Sequence, residues 1–237
     1  MSQQGTAGLV RIGILTIPLA GLLALVGLLG NYSLPGPNSN PEQTARYFSS
    51  TVYFVSQFAG NIVGPSLMIF GAISLTVYLA DTRSRRLALA GMIFCFFSIG
   101  LVISVAGLAA YAVPAVGRAY LGGKLSVASA GIQQTPRELV LLILGSPARE
   151  VFVVVFLLYS TGFLLFGVAI WRSGVMHRLA SISLALHAPL LSSFTRTEPT
   201  WTSFLGALLF ILGGTMISRD VFRGPPGEAT PPEPRVR

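Results

Sequence analysis

Charge is what this chain has least of, and it is missing where ion-coupled chemistry would need it. Only 10% of the 237 residues are Asp, Glu, Lys or Arg, against about a quarter in soluble domains. None falls in the apolar runs at 12–30, 62–80, 87–113, 151–171 and 200–218. Proton- and sodium-coupled carriers place carboxylates near the bilayer midplane, so this absence argues against coupled transport. Cysteine is nearly absent too: Cys95 stands alone inside an apolar run, which excludes an intrachain disulfide and a cysteine metal cluster. It reads as a small buried hydrophobe. The two histidines, His177 and His187, fall on opposite sides of the membrane arrangement derived below, so no metal site is expected. The chain has no GxSxG elbow, no HExxH helix and no Walker-type phosphate loop. No cofactor and no catalytic residue are expected from these observations.

What the chain does contain is hydrophobic length. A hydrocarbon core of about 30 Å needs roughly 20 helical residues. The five runs meet or approach that length, and a shorter sixth at 179–195 holds His187 and Pro189. The fold class expected is all-α: a polytopic membrane helical bundle of six transmembrane helices in a single domain, 1–223. A Pro-rich tail at 224–237 is expected to be disordered and cytoplasmic. The first run is longer than a signal-peptide h-region and is followed by no small-x-small cleavage pattern, so it is expected to remain as a span.

A formal charge of +8 would suggest nucleic acid in a soluble protein. Here the arginines sit at the ends of apolar runs, as topology signals do, and no nucleic-acid partner is expected. With six spans, one side holds Arg11, Arg83, Arg85, Arg86, Arg172, Arg178, Arg219, Arg223, Arg235 and Arg237, ten residues. The other holds Arg46, Arg118, Lys124, Arg137, Arg149 and Arg196, six residues spread mostly over long loops. Short basic loops decide orientation, so Arg83, Arg85, Arg86, Arg172 and Arg178 point to cytoplasmic N- and C-termini in an inner (cytoplasmic) cell membrane. Tyr32, Tyr78, Tyr111, Trp171 and Trp201 lie near span ends, where amphipathic rings sit at headgroup depth.

The outer loops are the long ones, and both carry helix signals. Asn40 can cap, Pro41 suits a first helical position, and Glu42 stands four residues before Arg46. Ala45, Phe48, Val52, Val55, Ala59 and Ile62 follow at helical spacing, opposite Glu42, Arg46, Ser49, Ser50 and Gln57. That pattern predicts one amphipathic surface helix leading into the second span. The next outer loop is expected from Pro114 to about Glu150, with a capped start at Thr135-Pro136-Arg137-Glu138 and a short apolar stretch, 139–144, that is interfacial or shallowly re-entrant.

Within this layout, His187 is the one ionisable group inside an expected span. Such groups are functional candidates, although a neutral imidazole can satisfy itself on a serine hydroxyl or on a carbonyl freed by Pro189. Glu150 beside Arg149, with Glu138 and Arg137 one helix earlier, reads as helix-terminal interface charge. The alternative is an outer-face pocket where Glu42, Glu138, Glu150 or Glu198 converge as acid and base, placing ligand-binding candidates at Arg46, Glu138, Arg149, Glu150 and His187. Ser56, Gly60 and Gly64 repeat every four residues with Asn61 alongside; small residues so spaced let membrane helices approach closely. Asn61 is the amide able to bond across that contact and is a further ligand-binding candidate, and Ser160 is expected to bond back to its own helix.

The run Leu164-Leu165-Phe166-Gly167-Val168-Ala169-Ile170-Trp171-Arg172-Ser173-Gly174-Val175-Met176-His177-Arg178-Leu179 resembles the most recognisable stretch of an uncharacterised bacterial family, domain of unknown function 4386. His177 stands where that pattern has proline, and Ser181 where it has glycine. The resemblance implies a six-helix integral membrane fold and brings no activity and no catalytic residues. The leading expectation is a non-enzymatic multi-pass protein acting as an accessory, regulatory or apolar-ligand-binding component, with membrane lipids and other membrane subunits as partners. The alternatives are a small passive transporter or channel and an intramembrane or outer-face enzyme acting on lipid.

Overall fold

The computed structural model describes residues 3–32, 39–123, 135–143, 145, 148–191 and 201–223, and among these there is no strand. The helices are α1 (Gln3–Tyr32), α2 (Pro41–Phe48), α3 (Thr51–Phe58), α4 (Gly64–Tyr78), α5 (Arg85–Leu121), α6 (Pro136–Ile143), α7 (Ala148–Ser173), α8 (Arg178–Leu191) and α9 (Trp201–Arg223). A π-helical turn, Ala59–Val63, joins α3 to α4 without a break in the run. Among the described residues, five segments are long and apolar enough to cross a membrane: Gly8–Tyr32, Thr51–Tyr78, Arg85–Leu121, Glu150–Ser173 and Trp201–Arg223. The chain is therefore an all-α membrane bundle.

The helices pack in sequence order, α1 on α4, α4 on α5, α5 on α7, α7 on α8 and α8 on α9, and α9 returns to α1, closing a ring. Each neighbour runs antiparallel. Along α1, for example, Gly13 meets Ser74, Ile17 meets Gly71 and Gly27 meets Gly60. Arg11 lies over the Phe222 ring at 5.7 Å, so the starts of α1 and the end of α9 share one end of the bundle. Arg83, Arg172 and Arg178 gather there too: Arg83 Nε donates to the Arg172 carbonyl at 2.6 Å, and Arg178 lies over Trp171 at 5.0 Å.

Residues pointing out of the ring are large and apolar, as a hydrocarbon solvent requires. On α1 the exposed positions are Leu9, Ile12, Leu15, Leu19, Leu22, Val26 and Leu29. Contacts inside are made instead by small residues. A Cβ on Gly60 would sit 2.5 Å from the Gly27 Cα and 3.1 Å from the Leu23 carbonyl oxygen, so α1 and the π turn touch backbone to backbone. Ser56, Gly60 and Gly64 all face α1, against Gly30, Gly27 and Leu23 respectively.

Three expectations about the outer loops change. The helix foreseen from Ala45 to Ile62 is two helices, because Ser50 is extended and its hydroxyl accepts the Tyr53 N–H at 3.1 Å as the cap of α3. Its expected apolar face is also reversed beyond the break: Val52 and Val55 are exposed, whereas Tyr53, Ser56 and Gln57 are buried. Helix α3 opens the segment Thr51–Tyr78, long and apolar enough to cross a membrane, and in a hydrocarbon solvent apolar side chains face outward and polar ones seek partners within the protein. The loop expected to begin at Pro114 begins later. Helix α5 runs through Pro114 to Leu121, 37 residues or about 55 Å, far more than the bilayer needs. Its projecting end is held by α2 and α6. A Cβ on Gly117 would lie 2.7 Å from the Ala45 carbonyl oxygen, and Val113, Phe48 and Tyr53 form a small core with Tyr47 and Val140 against it.

Helix α8 is shorter than the expected 179–195 span. Its 14 residues cover about 21 Å, and 192–195 lie outside the described residues. It nevertheless runs beside most of α9, from His177, whose N–H donates to Asp220 Oδ2 at 2.8 Å, to Leu191 against Gly206. The tail 224–237 and Glu198 also fall outside the described residues.

Candidate functional site

The centre of the ring is filled by aromatic side chains around one imidazole. His187 on α8 is fully buried, stacked on Phe210 of α9 at 4.3 Å and edge-on to Phe163 of α7 at 4.5 Å. Its Nδ1 lies 2.6 Å from the Leu184 carbonyl oxygen, which can only accept, so Nδ1 carries a proton. In the neutral ring Nε2 is then an acceptor, and the Tyr159 hydroxyl donates to it at 3.1 Å. Met68 Sδ of α4 lies 3.7 Å from the same hydroxyl as a weaker alternative acceptor. Neither group foreseen as a partner serves His187: the carbonyl that Pro189 leaves without its helical donor is Ala185, one residue beyond the one used.

Both imidazole nitrogens are thus satisfied by protein, and Phe163, Phe166 and Phe210 are each at most 3% exposed. The pair ties α7, α8 and α4 together at the core. Cys95 of α5 is buried in the same core. Among the described residues no group of three or more His, Cys, Asp or Glu is placed to hold a metal ion.

The charged candidates do not join His187. Glu42 pairs with Arg46 at 2.6 Å on the exposed face of α2, a contact worth about 0.3–0.5 kcal/mol in such i,i+4 pairs. Glu138 closes a capping box on α6: its Oε2 accepts the Thr135 N–H at 2.7 Å, and Thr135 Oγ1 accepts the Glu138 N–H at 3.3 Å. Glu150 is exposed in the first turn of α7, and the side chain of Arg149 lies outside the described ones. No hydrogen bond or ion pair connects any two of Glu42, Glu138, Glu150 and His187 among the described residues. Each acid serves its own helix.

Asn61 does take part in a polar chain between helices. Its Nδ2 donates to Gln57 Oε1 at 2.6 Å, and Gln57 Nε2 donates to Asn31 Oδ1 at the end of α1 at 2.5 Å. Tyr47 reinforces the same corner, its hydroxyl donating to the Gly30 carbonyl, and partial burial raises its phenol above the ordinary value. Ser160 Oγ, expected to bond back along its helix, is buried with no partner among the described residues.

Concave surface occurs on the outside of the ring, where lipid would be. A groove of about 390 Å³ separates α7 from α8. Gly167 forms its floor because α8 comes so near that a Cβ would meet the Ala185 Cβ at 2.8 Å and the Ser181 carbonyl oxygen at 3.0 Å. Val168, Trp171, Ile182 and Leu186 form the walls. A second, about 310 Å³, lies between α4 and α5 and is lined by Ile73, Ile93, Phe96 and Phe97 among other apolar residues. Neither has a charged residue in its lining, and the first reaches Trp171, whose ring carries Arg178.

No family model, curated protein or solved structure matches the chain.

Of the features above, His187 and the Ser56, Gly60 and Gly64 stripe were picked out from sequence. Tyr159, Phe163, Phe210 and the α7–α8 groove were not. A tyrosine hydroxyl in mid-span was the available signal for the first, since it must find a partner in hydrocarbon.

Proposed function

We propose that this is a non-enzymatic accessory or regulatory protein of a bacterial cytoplasmic membrane that binds apolar chains on its lipid-facing surface. The observation that carries this reading is the contrast between a closed interior and open flanks. His187, Phe166 and Phe210 are fully or almost fully buried at the ring centre, whereas both grooves face outward and are almost wholly apolar. A filled centre speaks against a passive channel along the bundle axis, and an imidazole satisfied on both nitrogens speaks against intramembrane acid–base chemistry. The positive-inside rule supports cytoplasmic termini, since the Arg-rich end also carries the start of α1 and the end of α9. Kinship with domain of unknown function 4386 is proposed on the run around Arg172-Ser173-Gly174 and on the closed ring of α1, α4, α5, α7, α8 and α9.

Native mass spectrometry of the full chain released from mild detergent tests the reading. Retained phospholipid is expected at low stoichiometry. Protein that sheds all lipid, and whose thermal stability added phospholipid leaves unchanged, would overturn it.

A further inference from the structure

We propose that the α7–α8 groove is a binding site for an anionic phospholipid, with an acyl chain lying against Gly167 and the phosphate held by Arg178. This rests on the apolar-chain reading above and adds a headgroup class to one of the two grooves. Trp171 forms one wall of the groove, and the Arg178 guanidinium lies over that same ring, 5.0 Å from its centroid. Both side chains are exposed, so cation, ring and apolar channel form one continuous surface. Stacking on a ring occupies the face of the guanidinium and leaves its N–H edge free for phosphate oxygens.

Arg178 has no carboxylate within ion-pair distance among the described residues, and Asp220 accepts the His177 backbone N–H. Positive charge is further concentrated here by Arg172 itself and by Arg83, whose guanidinium is held on the Arg172 carbonyl. Trp and Arg at the end of an apolar groove match the sequence of a phospholipid from chain to glycerol to phosphate. Neither groove has a charged residue in its lining; the α7–α8 groove differs from the α4–α5 groove in that one of its lining residues, Trp171, carries Arg178 on its ring.

The chain has two tryptophans, so replacing exposed Trp201 by Phe leaves Trp171 as the sole reporter inside the groove. The full-length W201F protein is reconstituted in vesicles of phosphatidylcholine containing either phosphatidylglycerol or phosphatidylcholine brominated high on one chain. Quenching then reads which lipid occupies the groove. One basic group near the membrane surface enriches an anionic lipid about fivefold, so brominated phosphatidylglycerol should quench Trp171 as if about fivefold more abundant than its mole fraction. Arg178→Gln should abolish that enrichment, Arg178→Lys should restore most of it, and Arg223→Gln, on α9, should leave it intact. Equal quenching by the two lipids, or full enrichment surviving Arg178→Gln, overturns the headgroup assignment while leaving the apolar-chain reading standing. Loss of all lipid retention in mass spectrometry instead removes that reading first.

Discussion

Replacing Tyr159 by Phe removes one hydroxyl from the middle of the bundle and leaves His187 Nε2 buried without a donor. Two ranges bear on the cost. Leaving a buried polar atom unsatisfied costs about 1–3 kcal/mol, whereas interhelical hydrogen bonds in membranes average about 0.6 kcal/mol and reach about 1.7 kcal/mol, because a displaced group usually finds another partner. His187 has none within reach: Phe163 and Phe210 cover the ring, and Nδ1 is already engaged with Leu184. The cost of Tyr159→Phe should therefore lie near the top of the membrane range, about 1–2 kcal/mol. His187→Phe should cost less. Its ring stays stacked on Phe210, and the Tyr159 hydroxyl it abandons still has Met68 Sδ at 3.7 Å. The double variant should then be more stable than the sum of the singles implies by about 1 kcal/mol, since both ends of the bond are gone together. Equilibrium unfolding in mixed detergent micelles measures all three. Strict additivity, or a His187→Phe variant less stable than Tyr159→Phe, would refute the assignment of Tyr159 as donor and Nε2 as acceptor.

Two further outcomes follow from the packing. Gly60→Leu drives a side chain into the Gly27 backbone, where no rotamer escapes, and should lower the melting temperature far more than Val52→Leu on the exposed face of α3; equal effects would contradict the α1 contact. Cys95, the single thiol, should resist a small maleimide in intact membranes and react on denaturation; rapid labelling of the folded protein would show an interior more open than described.

Membrane residence and the positions of the five long helices were legible because hydrocarbon thickness acts directly on sequence: uncharged runs of about 20 residues have few other uses. Direction of facing was harder to read. Val52 and Val55 were assigned inward and Gln57 outward by the logic of a helix on water, and α3 obeys the opposite logic, that of the membrane-spanning segment it belongs to. Pro114 was read as a stop, yet α5 continues because packing of Gly117 on α2 outweighs the lost backbone bond. For the site, His187 was visible as the one ionisable group in a span, but its partner Tyr159 lies 28 positions earlier in the chain and only the ring topology brings the two within 3.1 Å. Glu42 and Glu138 were correctly placed as helix-terminal charges because capping is a local interaction, written within four residues. The groove was invisible because it lies between α7 and α8, and its floor is their close approach at Gly167, a property of neither helix alone.

In the function proposed for it, the bundle engages lipid on its flank rather than moving or transforming a substrate through its middle. Native mass spectrometry of the detergent-released chain, with the bound lipids identified, tests it most directly. One or a few phospholipids should be retained, with anionic headgroups enriched over their share of the membrane and that enrichment reduced by Arg178→Gln. A lipid-free protein, indifferent to added phospholipid, would contradict it.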